Sequence, residues 1–203
     1  MKENRDYIKD IAEIRSMMER SSKFLSLSGW AGIMAGLYAL AGAFIAYNYF
    51  DFNPTIILTD GISTGLTNVI FLGVIILSLA LLTAVFFSYK NAKVKDENIW
   101  NPTSRRLMAS MLVPLLTGGF LIIIFLINDL IGLILPSSLI FYGLALYNAS
   151  KFTIDEIKFL GFVQIGLGLI SAYFVEHSLI IWAIGFGVIH IIYGIYMYFR
   201  YER

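Results

Sequence analysis

Long apolar runs alternate with short polar connections along this chain, and the length of the runs matches the thickness of a bilayer. Six stand out: Phe24 to Tyr49, Leu66 to Tyr89, Leu107 to Ile127, Leu130 to Tyr147, Ile157 to Phe174 and Ser178 to Phe199. Each approaches the roughly 20 helical residues that cross about 30 Å of hydrocarbon. The pattern predicts an all-α, polytopic membrane protein with six transmembrane helices. Asn128–Asp129 and Glu176–His177 leave almost no connection, so spans three and four, and five and six, are expected to be antiparallel neighbours. Thr153 and Glu156 read as an S/T-x-x-E capping box ahead of the fifth span, while Asn101, Pro102, Thr103 and Ser104 supply a turn and an N-cap ahead of the third.

Charge orients those spans. All fifteen Lys and Arg residues lie on one side of the pattern. The N-terminal stretch holds Lys2, Arg5, Lys9, Arg15, Arg20 and Lys23, and the Lys90–Arg106 connection holds five more. Lys151 and Lys158 flank the next connection of that set, and Arg200 and Arg203 lie in the tail. The other three connections carry only Asp51, Asp60, Asp129, Glu176 and His177. Basic loops stay cytoplasmic, so both termini are expected on the inner side of the cell inner (cytoplasmic) membrane. Charged residues make up 14% of the chain and hydrophobic ones 58%, against roughly 25% charged in soluble domains. A net charge of +1 provides no field for nucleic acid; membrane lipids, anionic ones at the basic face, are the expected partners. With no cysteine in the chain, disulfides and thiolate metal sites are excluded.

The chain divides in two. Residues 1–23 are expected to form a cytoplasmic amphipathic helix, because Tyr7, Ile11, Ile14 and Met18 recur at spacings of four and three, the seam of a short coiled coil. That seam needs an apolar cover, from the bundle itself, from a cytoplasmic protein partner or from a second copy. Residues 24–203 form the six-helix bundle. Its first span is rich in Gly, Ala and Ser, with a GxxxG pair at Gly32 and Gly36 continued by Ala39 and Ala43. Such a face lets helix backbones approach closely, so this span is expected to be the most protein-buried. The second and third spans are bulky all round and are expected to face lipid.

Chemistry is sparse. Apart from Lys158, at the very edge of the fifth, no charged residue falls inside a span, which counts against proton pumps and ion-coupled transporters. Spans five and six pivot about Glu176 and His177, which sets Gln164 level with His190 and puts Phe186 and Tyr193 on the His190 side of the last helix. This intramembrane pair fits a structural hydrogen bond or a ligand or proton-relay site. Zinc takes three or four ligands, and His177 lies near the opposite surface from His190, so neither a metal nor another cofactor is expected. No nucleophile–base set and no glycine-rich phosphate loop is present. Pro114 and Pro136 are expected to interrupt the third and fourth helices and free the carbonyls of Ser110 and Gly132. Together with Ser110 and Thr117 they are candidate kink or cavity residues.

The stretches Trp100–Arg106, Pro114–Gly119, Phe141–Lys151 and Gly185–His190 resemble a family of bacterial six-span inner-membrane proteins of uncharacterised activity, and the resemblance covers nearly the whole chain. It implies the six-span fold and no catalytic residue. The functional expectation is therefore a non-enzymatic interaction or regulatory component of the inner membrane. A small transporter or channel for a neutral or weakly charged solute is the alternative, and a membrane-embedded enzyme comes third.

Overall fold

A backbone surrounded by hydrocarbon must satisfy its own N–H and C=O groups, and runs of Leu, Ile, Val, Phe and Ala do so as helices. The computed structural model describes residues 28–55, 64–94 and 100–203; the 1–23 segment with Tyr7, Ile11, Ile14 and Met18 lies outside the described residues. Among these, six helices are long and apolar enough to cross a membrane, and no strand occurs. The first five spans are built on α1 (Gly29–Tyr49), α2 (Thr64–Val94), α3 (Pro102–Ile127), α4 (Ile134–Ala149) and α5 (Glu156–Tyr173). The last span, Val175–Glu202, is segmented. A 3-10 turn leads into α6 (Ser178–Trp182), a π-helical stretch follows over Ala183–Ile189, and α7 (His190–Met197) runs into a terminal π-turn, Tyr198–Glu202.

The helix ends have identifiable causes. Asn101 caps α3: its Oδ1 accepts from the Ser104 amide at 2.7 Å, the Ser104 hydroxyl accepts from the Asn101 amide at 3.1 Å, and Pro102 occupies the first helical position. At its other end Asp129 takes a left-handed φ of 57° and the Leu130 amide reaches back to the Phe125 carbonyl at 2.9 Å, a Schellman closure made with Asp where Gly is commoner. Before α5 the expected Thr153–Glu156 box is replaced. Asp155 stands at the N-cap, and the Glu156 carboxylate is engaged by Tyr201 and Arg200.

Pro136 does not interrupt the fourth span as expected. It sits in the first turn of α4, after the 3-10 turn Ile131–Leu133, where a missing N–H removes no helical bond. Pro114 does lie inside its helix, which continues through it to Ile127.

The packing is a chain of neighbours joined by the last span. α3 packs on α4, α4 on α5 and α6, and α1 on α2, while the last span touches both groups, α1 through its π stretch and α7 and α5 through α6. Because α4 is covered from three directions, the fourth span rather than the first is the most buried. α2 packs substantially on α1 alone, and between Leu66 and Ala92 none of its residues is buried. Its Ile76 nonetheless enters the gap left by Gly42 of α1.

Glycine makes the two tightest seams. A Cβ built on Gly36 would lie 2.6 Å from the Gly187 carbonyl oxygen, and one on Gly194 would lie 2.5 Å from that of Gly29. Gly32 faces Gly194 and the His190 carbonyl in the same seam. Between α4 and α5, Gly143 and Gly161 are reciprocal: a Cβ on either would reach the other's carbonyl oxygen within 2.8 Å. Backbones this close allow no side chain between them. At the end of the first seam Glu202 accepts from the Gly29 amide and from the Ser28 hydroxyl, tying the C-terminal residues to the orphan donors of α1.

Candidate functional site

The polar centre forms where α4, α5 and the last span meet. Gln164, in the middle of α5, is fully buried, and His190, at the start of α7, is 5% exposed. Both reach the same backbone oxygen. Gln164 Nε2 donates to the Gly185 carbonyl at 2.8 Å, and His190 Nδ1 lies 2.9 Å from it.

Local sequence explains why that oxygen is reachable. Gly185 lies in the π-helical stretch, whose wider turn displaces carbonyls from the ordinary ladder. A Cβ at Gly185 would also lie 2.8 Å from Gln164 Oε1 and 2.6 Å from Leu139 Cδ2, so only glycine leaves room for the amide.

The network assigns the imidazole tautomer. With Nδ1 against a carbonyl oxygen, Nδ1 carries the proton and Nε2 accepts from the Tyr142 hydroxyl at 2.9 Å. The reverse tautomer would set a lone pair against the Gly185 oxygen. Gln164 Nε2 and His190 Nδ1, 3.3 Å apart, are then two donors sharing one acceptor rather than a bonded pair. Rotating the Gln164 amide would set oxygen against oxygen at that carbonyl, so Oε1 points away from it. Among the described residues, Gln164 Oε1, Tyr193 Oη, Ser171 Oγ and Ser178 Oγ are buried without a hydrogen-bond partner.

Aromatic rings wall the site. Phe186 stacks on the His190 ring at 5.6 Å and 16°, Tyr142 tilts against Phe186 at 5.0 Å, and Trp182 lies 5.1 Å beyond. Trp182 donates its indole N–H to Ser138 Oγ at 3.1 Å and so braces α6 on α4.

The other candidates lie elsewhere. Ser110 and Thr117 return their hydroxyls to carbonyls of their own helix, Leu107 and Val113, each at 2.8 Å, a local satisfaction common for these residues in helices. Thr117 is exposed on the outer face and lines no cavity. Pro114 is buried, and neighbouring Gly118 packs on Phe141. Gly32 and Gly36 belong to the α1 seam, one turn of which abuts the His190 backbone.

Tyr142, Gly185 and Trp182 are members of the centre that sequence reasoning did not place there. Among the described residues no group of three or more metal-ligating side chains occurs. No family model, curated protein or solved structure matches the chain.

Proposed function

We propose that this protein is a non-enzymatic interaction or regulatory component of the bacterial inner membrane, with both termini in the cytoplasm and the 1–23 segment as its contact with a partner or a second copy. The observation that supports this reading most is how the polar centre is used. Both nitrogens of His190, the imidazole of that centre, are engaged by the Gly185 carbonyl and the Tyr142 hydroxyl. The seams around it run backbone to backbone. A centre so built holds helices in register, which supports a reading in which recognition falls to the ends of the bundle.

Two measurements test the reading. Single cysteines suit a chain that has none: in intact cells an impermeant maleimide labels a cysteine at Asp60 and leaves one at Asn98 unlabelled. Deleting residues 2–20 then leaves an inserted bundle and abolishes the crosslinked species seen with the full chain. Reversed labelling refutes the orientation; unchanged crosslinks and an unchanged cellular phenotype refute the partner role.

The unpartnered Gln164 Oε1 and Tyr193 Oη favour a second reading, a small transporter or channel for a neutral solute, because an unpaired polar atom in hydrocarbon costs several kcal/mol and a solute hydroxyl or water would answer it. Solute flux into proteoliposomes that falls with Gln164→Leu would establish that reading over the first.

A further inference from the structure

Resting on the cytoplasmic placement of the α2–α3 connection, we infer that the start of α3 carries a binding site for one anionic phospholipid of the inner leaflet. An open groove of about 530 Å³ is lined by Trp100, Arg105, Arg106, Met108 and Leu112, with Pro102 and Ala109 between them. Its character changes along the helix. Arg105 and Arg106 stand in the second turn, both exposed, and neither has an ion pair among the described residues. Met108 and Leu112 follow one and two turns further, each 48% exposed. The rise from Arg105 to Leu112 is about 10 Å, the distance from a phosphate into the upper acyl chain. Trp100, 64% exposed, sets its indole at the boundary where Trp side chains anchor.

This gradient selects the occupant. Two guanidinium forks match phosphate oxygens, and the apolar wall continues where acyl chains begin. Free phosphate would leave Met108 and Leu112 uncovered. A zwitterionic lipid would bring its own ammonium group beside two arginines. A diacyl lipid whose headgroup is net negative satisfies both ends of the groove. Each basic residue near a membrane surface contributes roughly fivefold in affinity, and the pair about 30-fold.

The test uses the full chain, delipidated in non-ionic detergent and titrated with phosphatidylglycerol, with phosphatidylcholine of the same chains, and with inorganic phosphate, bound lipid being counted by native mass spectrometry. One phosphatidylglycerol should bind at least roughly tenfold more tightly than phosphatidylcholine and resist millimolar phosphate. Arg105→Gln with Arg106→Gln should lose about 30-fold, while Lys90→Gln with Lys93→Gln, basic but outside the groove, should lose none. If the glutamine pair unfolds, Arg105→Lys with Arg106→Lys keeps the charge, and its loss of selectivity reads the fork directly.

Equal binding of the two lipids, a loss in the Lys90→Gln with Lys93→Gln control equal to that of the arginine pair, or displacement by phosphate would each overturn the inference. Detergent binding is blind to orientation. A reversed topology would therefore refute the cytoplasmic placement without touching this result, and failed lipid binding would leave that placement standing.

Discussion

Replacing Gly36 by alanine probes the contact between the first and last spans most directly. The added Cβ would lie 2.6 Å from the Gly187 carbonyl oxygen, 2.6 Å from Ile191 Cγ1 and 3.1 Å from the Ile191 amide nitrogen. Carbon–oxygen contacts between helices sit near 3.3 Å or beyond, so the two backbones must part by about 0.7 Å at that turn. Gly32, whose own Cβ would meet Gly194 Cα at 3.2 Å, is carried along. Overpacking of this kind costs about 1–3 kcal/mol, and the better helix propensity of alanine returns up to about 1 kcal/mol. The net expectation is a loss of about 1–2 kcal/mol. Two controls separate mechanism from proximity. At Gly42 a Cβ would lie only 1.9 Å from Ile76 Cδ1, but that atom is the tip of a half-buried side chain that can change rotamer, and Gly42→Ala should cost under about 1 kcal/mol. At Gly73 nothing lies within 4 Å, and alanine should be neutral or stabilising. Unfolding in mixed micelles of rising SDS fraction, followed by far-UV circular dichroism, ranks the three. If Gly42→Ala proves the more damaging, or Gly36→Ala unfolds with the wild type, the distinction between a backbone and a side-chain obstacle is wrong.

The same assay checks the remaining expectations. Tyr142→Phe leaves His190 Nε2 without its donor and should cost about 0.6–2 kcal/mol. His190→Leu should cost more, because the Tyr142 hydroxyl and one share of the Gly185 carbonyl are orphaned together, and the two substitutions should couple by at least about 0.5 kcal/mol in a double-mutant cycle. Gly185→Ala should cost about 1–3 kcal/mol by pushing on Gln164 and Leu139, and Gln164→Ala added to it should cost less than Gln164→Ala alone; equal costs would show that the two sites do not meet. Glu202→Ala removes an anionic acceptor from the start of α1 and should cost about 1 kcal/mol. Arg200→Ala, whose pair with Glu156 at 3.3 Å is 57% exposed on the arginine side, should cost less than Glu202→Ala, and the opposite order would refute the importance given to the Gly29 contact.

Six helices long and apolar enough to span a membrane were legible in the sequence because bilayer thickness writes itself into run length. Depth was legible wherever a turn is short: Glu176 and His177 set Gln164 and His190 at one level. The short connection around Thr153, from which Tyr142 and Gln164 are equally distant in sequence, sets Tyr142 at that level too. What the pattern hides is irregular backbone. Gly185-Phe186-Gly187 reads as any small-residue stretch, yet the π turn there presents the carbonyl that organises the centre. The ranking of burial failed for a related reason. Small residues mark where backbones touch, but how many neighbours surround a helix depends on packing order, and α4 has three where α1 has two.

That packing order also dictates when the fold can be completed. Gly32 and Gly36 of α1 leave the ribosome well ahead of their partners Gly187 and Gly194, which follow about 150 residues later. At roughly 5–20 residues per second the interval is on the order of ten seconds. Throughout it α1 has only α2 beside it, and its glycine face is open to lipid or to whatever insertion factor receives nascent spans. The last of the six spans is the one that joins the two groups of helices, so the bundle commits to its tertiary structure only once that span has been made.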